Sequence, residues 1–417
     1  MSKYIIVGGN KIEGELSIQG AKNAVLPLIA ATVLNSSTNI IHDIPEITDV
    51  EIMIKILESL GCTVKRENKT LIVDSSRLHN YEIPEVYVRE MRSSIVFLGA
   101  MLSRFGKIKV SYPGGCEIGS RPIDLHLRAL KQMGAVIEEK HGFIVCETVN
   151  LRGCEIQLDF PSVGATENIM LAAVRSRGTT VIRNAAREPE VIELGNYINA
   201  MGGRVFGAGT ATIFIHGVEK LHEIEYKIIP DRIVTGTYLI AAAITGGEIL
   251  LKNVVPDHLQ SVVSKLRETG CIIRSDKNSI ELKTPRKLNS LESIKTLPYP
   301  GFPTDMQSQM MALTTICDGT SLFIENIFES RYKHVNELIR MGANIILDGR
   351  VALVKGVKKL TGASVTARDL RGGACLLLAG LAAEGETVLE NAHHIERGYD
   401  NIHKDISKVG GNIVKIQ

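Results

Sequence analysis

Six times along this 417-residue chain an apolar helical stretch runs into a glycine and then into a β-like pattern. The instances are LESLGCTVKRENKTLIV, LKQMGAVIEEKHGFIVC, INAMGGRVFGAGTATIFI, LRETGCIIRSDKNSIEL, IRMGANIILDGRVALV and ISKVGGNIVKI. Their first glycines, Gly61, Gly134, Gly202, Gly270, Gly342 and Gly410, stand 73, 68, 68, 72 and 68 residues apart. Glycine is expected just past a helix C-terminus, where φ must turn positive. Polar breaks at Glu67-Asn68, Lys140-His141-Gly142, Asp276-Lys277-Asn278 and Asp348-Gly349 read as hairpin turns. A second landmark keeps the same period: a helix, a glycine and a short strand at Gly106, Gly178, Gly246, Gly319 and Gly385, with Ser36-Ser37 in the first repeat.

The helices before the second landmark, such as NAVLPLIAATVL, GTYLIAAAI and GACLLLAGLAA, are apolar nearly all round, which predicts burial. Those that follow, such as LHLRALKQM and HLQSVVSKL, mix charged and apolar residues and should face solvent. Each unit therefore reads as strand, buried helix, strand, surface helix, strand, strand. Six such βαβαββ repeats of about 70 residues make an α/β chain with no linker left over. Length alone predicts two or three domains, and three repeats in each of two domains fits.

Composition excludes several function classes. Lys+Arg 48 against Asp+Glu 46 leaves a formal charge of +2, no global field for nucleic acid or an acidic membrane. With 9 Phe, 10 Tyr and no Trp, base-stacking platforms are not expected. The seven cysteines are scattered, odd in number and free of any CxxC, so neither a disulfide framework nor a zinc site is expected. The N-terminal apolar run is too short for a signal peptide, and no stretch reaches the roughly 20 apolar residues of a membrane span. A cytoplasmic protein is the expectation.

Polar residues gather at two equivalent places in the repeat. One is the entrance to each buried helix: Lys22-Asn23, Arg92, Ser162-Val163-Gly164, Asp231-Arg232, Thr304-Asp305 and Asp369-Leu370-Arg371. The other is the loop after the following strand: Tyr112 to Arg121, Arg187, Asp257-His258, Glu329 to Arg331 and Glu396-Arg397. Helix N-termini already favour anions, and the added arginines and lysine exceed what capping requires. Taken singly, Asp231, Asp305 and Asp369 read as helix caps, and each arginine as a solvated surface charge. Their recurrence in a sixfold frame points instead to a cleft for a ligand with several negative groups.

Cys116 stands apart in YPGGCEIGSRP. A lone cysteine is usually buried and inert. One flanked by Gly114, Gly115 and Gly119, five residues before Arg121, reads as an exposed and activated thiol on a lid. There is no Walker sequence, no HExxH and no dinucleotide fingerprint, and His393-His394 reads as surface rather than metal site. No cofactor and no metal are expected.

QGAKNAVLPLIAA, PGGCEIGSRPIDLHL, DFPSVGATEN, AAREPEVIEL, IIPDRIVTGT, FPTDMQSQ, FESRYKHV and HIERGYDNI, in this order along the chain, closely resemble the enolpyruvyl transferases, specifically the UDP-N-acetylglucosamine 1-carboxyvinyltransferases of bacterial wall synthesis. The resemblance implies a two-domain inside-out α/β barrel, with residues 22–229 forming one lobe and residues 1–21 plus 230–417 the other. It implies transfer of the enolpyruvyl group of phosphoenolpyruvate to the 3-hydroxyl of UDP-N-acetylglucosamine with release of phosphate, the first committed step of peptidoglycan synthesis. Lys22, Arg121 and Arg397 would hold the phosphoenolpyruvate phosphate, with Arg371 near its carboxylate. Asn23, Asp305 and Arg331 would lie round the reacting hydroxyl, Asp305 as base or orienter. Arg92, the run Arg121, Pro122, Ile123, Asp124 and Leu125, Ser162 to Gly164, and Ile327 would meet the UDP-sugar. Cys116 matches the family's proton donor, which also forms a covalent phosphoenolpyruvate adduct and is alkylated by the epoxide fosfomycin. Thr48 and Phe160 stand where some relatives carry lysine, which removes two charges near the nucleotide.

Two rival readings remain at this level. 5-Enolpyruvylshikimate-3-phosphate synthases share the barrel and the donor, but the PGGC loop and QGAKNA fit them poorly. An inactive ligand-binding paralogue acting as a regulator is the other; Lys22, Cys116, Asp305 and Arg397 are all present against it.

Overall fold

The computed structural model describes residues 2–114 and 123–416. Cys116, Arg121 and Pro122, three of the expected site residues, lie outside the described residues. The rest falls into two compact units, one made of residues 2–19 and 230–416, the other of 20–114 and 123–229. Each has its own apolar core.

The glycine period is a backbone period. All six glycines of the first set have φ between 93° and 98°, each ending a helix before a strand. Five are followed by antiparallel hairpins, such as Thr63–Glu67 with Thr70–Asp74 and Asn344–Asp348 with Val351–Lys355. The sixth has only Asn412–Ile416, and its hairpin partner is the far end of the chain: Lys3–Val7 pairs antiparallel with it.

Among the described residues there are six sheets, three to each unit, and five repeat one order of pairings: parallel, antiparallel, antiparallel. In the sixth, Lys107–Ser111, Phe143–Glu147 and Val136–Lys140 keep the two antiparallel pairings, and a single bridge from Glu82 to Lys109 stands for the parallel strand. The expected continuous repeat needs a correction in two places. Glu13–Ser17 pairs not with the strand after the next helix but with Glu248–Lys252, and Ile224–Lys227 pairs with Thr38–His42. The chain passes from one unit to the other just after each of these leading strands, so each stays behind with the unit it leaves. Local pattern shows that a strand exists; its partner is decided by topology.

The helices expected to be buried are buried. Lys22–Ala31, Phe97–Phe105 and Val163–Ala173 lie in one unit; Arg232–Thr245, Gln307–Thr314 and Leu370–Ala382 pack on one another in the other. Phe97–Phe105 and Val163–Ala173 approach so closely that a Cβ on Gly99 would sit 2.1 Å from the Asn168 carbonyl oxygen. Asp124–Gln132 and Gln260–Glu268 bury one face and leave charges outside. Among the described residues no helix is long and apolar enough to cross a membrane, and no cluster of His, Cys, Asp or Glu could hold a metal ion.

Candidate active site

In the unit of residues 20–114 and 123–229, Lys22 opens its buried helix, and its Nζ lies 2.9 Å from Asp49 Oδ2. The carboxylate is 1% exposed, in the first turn of Thr48–Ser59. Burying a lysine this deeply is costly unless a counter-charge accompanies it, and Asp49 supplies one. Asn23 follows, half-buried, and Arg92 begins the short 3₁₀ segment Arg92–Val96.

Ser162 caps Val163–Ala173, its hydroxyl accepting from the Ala165 N–H at 3.3 Å, so Val163 and Gly164 lie in the open first turn. Gly164 rests on the His126 ring; a Cβ there would be 3.3 Å from Cε1. Asn168 Oδ1 accepts the Gly99 N–H, which turns its Nδ2 toward His126 Nδ1 at 2.9 Å. Nδ2 can only donate, so the imidazole proton sits on Nε2. Burial first, then Arg92, pushes the His126 pKa down to about 4, and the ring is neutral at physiological pH. Ile123 is buried ahead of the helix Asp124–Gln132, with Asp124 exposed and Leu125 half-buried. A groove of about 740 Å³ runs along it, lined by Tyr112, Ile123, Asp124 and Arg128 among others. Thr48 is exposed, Phe160 is 43% exposed, and Asp159 is held by Arg128 at 2.6 Å.

In the unit of residues 2–19 and 230–416, Asp231 and Asp369 cap their helices as expected, each accepting two backbone N–H groups. Asp305 does not. Its Oδ1 takes Arg331 Nη2 and its Oδ2 takes Arg371 Nη2, both at 2.9 Å. The two arginine side chains are 3% and 4% exposed, so reading such arginines as solvated surface charges is corrected here. Burial alone would lower the Arg371 pKa; Asp305, then Tyr399 and Asp231, outweigh it and raise it. Glu325, fully buried, accepts the N–H groups of Ile327 and Phe328 and fixes the loop that presents Ile327. Arg397 is half-buried at the end of Ala392–Arg397.

The structure thus brings together Asp305, Arg331 and Arg371 in one unit, and in the other sets Ile123 to Leu125 and Ser162 to Gly164 on either side of His126. Asp49, His126 and Tyr399 were not singled out from sequence. His126 could have been found, since it directly follows the run that ends at Leu125. The other cysteines are poor nucleophiles: burial pushes Cys62, Cys146 and Cys317 up to about 12 and also raises Cys154, Cys271 and Cys375.

Lys22 and Arg371 are thus buried cationic groups at the entrances of two equivalent helices, and comparison with known proteins identifies the class to which such a chain belongs. Residues 6–406 match the family model described as EPSP synthase (3-phosphoshikimate 1-carboxyvinyltransferase). The chain belongs to this enolpyruvyl transferase family. Within it, a protein of Caldanaerobacter subterraneus subsp. tengcongensis named UDP-N-acetylglucosamine 1-carboxyvinyltransferase 2 is 52% identical, covering 100% of both chains. One of Symbiobacterium thermophilum, UDP-N-acetylglucosamine 1-carboxyvinyltransferase 1, is 51% identical over 99% of this chain and 95% of its own. Among solved structures, the enolpyruvyl transferase NikO from Streptomyces tendae matches with a TM-score of 0.90 at 24% identity, covering 99% of this chain and 98% of its own. EPSP synthase from Acinetobacter baumannii matches with 0.77 at 17% identity over 100% of both chains.

Proposed function

We propose that this chain transfers the enolpyruvyl group of phosphoenolpyruvate to the 3-hydroxyl of UDP-N-acetylglucosamine and releases phosphate. The observation that carries this is full-length identity of about half the residues to relatives that bear that enzyme's name. The six sheets around buried helices support reading each unit as an inside-out α/β barrel lobe.

In this reading the sugar oxygen attacks C2 of phosphoenolpyruvate while C3 takes a proton. The tetrahedral intermediate then expels phosphate and loses a C3 proton, restoring the double bond. Cys116 donates the first proton. Lys22, Arg121 and Arg397 take the phosphate, and Arg371 the carboxylate region; a guanidinium fork suits both groups. Asp305, fixed by Arg331 and Arg371, orients the 3-hydroxyl and accepts its proton, and Asn23 is assigned to the same hydroxyl. Arg92, Arg121 to Leu125, Ser162 to Gly164 and Ile327 take the nucleotide and sugar. The open helix N-terminus at Val163 and Gly164 offers N–H groups to a diphosphate. The reaction places the chain at the first committed step of peptidoglycan synthesis, in the cytoplasm, as a target of fosfomycin.

A phosphate-release assay tests this. Release from phosphoenolpyruvate with UDP-N-acetylglucosamine is expected. Release only with shikimate 3-phosphate would transfer the chain to the other branch of its family, and no release with either would make it a binding paralogue.

A further inference from the structure

The helices Arg232–Thr245, Gln307–Thr314 and Leu370–Ala382 form an apolar core, yet polar side chains meet inside it. Thr237, Gln309 and Tyr399 are each no more than 1% exposed. Tyr399 Oη lies 2.9 Å from Thr237 Oγ1 and 3.4 Å from both Gln309 Nε2 and Arg371 Nη1. Gln309 Nε2 also donates to the Asp305 carbonyl oxygen at 2.8 Å, which fixes which end of the amide faces Tyr399.

The direction of every hydrogen bond here is forced. Arg371 and Gln309 Nε2 can only donate, so the phenol oxygen accepts from both. Thr237 spends its own proton on the Ile233 carbonyl oxygen at 2.8 Å, so its oxygen is free to accept. The Tyr399 proton therefore points at Thr237, and the phenol lone pairs face Arg371. We propose that Thr237 and Tyr399 are positioning residues: Thr237 takes the Tyr399 proton so that the phenol oxygen can hold the Arg371 guanidinium, which in turn grips Asp305. Neither residue is assigned a contact with substrate; Thr237 acts chiefly through Tyr399 at 2.9 Å, its contact with Gln309 Nε2 being longer at 3.4 Å. The kinetic consequence rests on the proposed placing of phosphoenolpyruvate against Arg371.

The test compares Thr237→Val, Thr237→Ser, Tyr399→Phe and the Thr237→Val/Tyr399→Phe double variant in the full chain. Thr237→Val keeps the side-chain shape but removes the acceptor, so the Tyr399 proton turns toward Arg371. A rise of about tenfold in KM for phosphoenolpyruvate is expected, in line with a lost hydrogen bond to a charged group. Thr237→Ser should restore the wild-type value. Tyr399→Phe should show the same rise, and the double variant should be no worse than Tyr399→Phe. An unchanged KM in Thr237→Val and Tyr399→Phe, equal loss in Thr237→Ser and Thr237→Val, or additive losses in the double variant would overturn the proposal. If the wild-type chain releases no phosphate, the functional reading alone fails, and a crystal structure of Tyr399→Phe decides the network: Arg371 displaced from Asp305 upholds it, undisturbed pairing overturns it.

Discussion

Asp305→Ala is the most informative single change, because one carboxylate serves two buried arginines. Removing it leaves the Arg331 and Arg371 guanidiniums, 3% and 4% exposed, with no shared anion. Breaking a buried pair costs about 3–5 kcal/mol. Asp305 itself is 26% exposed, so water already screens part of the interaction and the lower end, about 3 kcal/mol, applies. For a unit of this size that lowers the melting temperature by about 6–12 °C. The vacated position between two arginine forks should then hold inorganic phosphate. At a phosphate concentration 100 times its dissociation constant the variant would regain about 2.7 kcal/mol, close to what it lost. The assay is thermal unfolding of both proteins, followed by circular dichroism, in a non-coordinating buffer with increasing phosphate. A melting temperature within about 2 °C of wild type, or an equal phosphate response in the two proteins, would refute the clamp. Turnover should fall by about 10²–10⁴-fold if Asp305 handles the hydroxyl proton.

Fosfomycin with UDP-N-acetylglucosamine should leave one adduct, on Cys116, by peptide mass spectrometry, and Cys116→Ser should remove both the adduct and most turnover; labelling spread over the buried cysteines would contradict this. Gly99→Ala should abolish soluble expression or cost more than about 3 kcal/mol, because its methyl meets the backbone of the facing helix rather than a side chain that can move. Glu193, buried, has its pKa raised from 4.5 to about 7, so the folded state holds a proton that the unfolded state releases. That contribution is full below about pH 4.5 and is lost as pH rises through about 7. Glu193→Gln should thus match wild type in melting temperature near pH 5 and exceed it near pH 8; parallel curves would exclude Glu193 as the source.

The repeat was legible because glycines with positive φ and runs of apolar residues are local signals. The Asp231 and Asp369 caps were legible for the same reason. Asp305 looked identical to them in sequence, and only the fold, which carries Arg331 and Arg371 to it from 26 and 66 residues away, makes it a clamp instead of a cap. Asp49 could not be singled out, because its pairing with Lys22 joins two separate helices. Thr237 and Gln309 disappeared among apolar neighbours, since a single polar residue does not change the character of a buried helix. The two exchanged leading strands could not be read from local pattern, because each has an ordinary strand pattern and differs only in its partner; only the discontinuous lobe implied by the family resemblance hinted at them.

The strand Lys3–Val7 lies between Glu386–Glu390 and Asn412–Ile416 and pairs with both. Lys3–Val7 therefore waits for partners made about 380 and 410 residues later, by the separation of the paired positions. At about 5–20 residues per second, the roughly 400 residues between them take about 20–80 s to synthesise. The unit of residues 20–114 and 123–229 is complete soon after the middle of that interval and can fold while Lys3–Val7 still has two bare edges. Among the described sheets this one is consequently the last to close, and the chain is most exposed to misassembly until Asn412–Ile416 arrives.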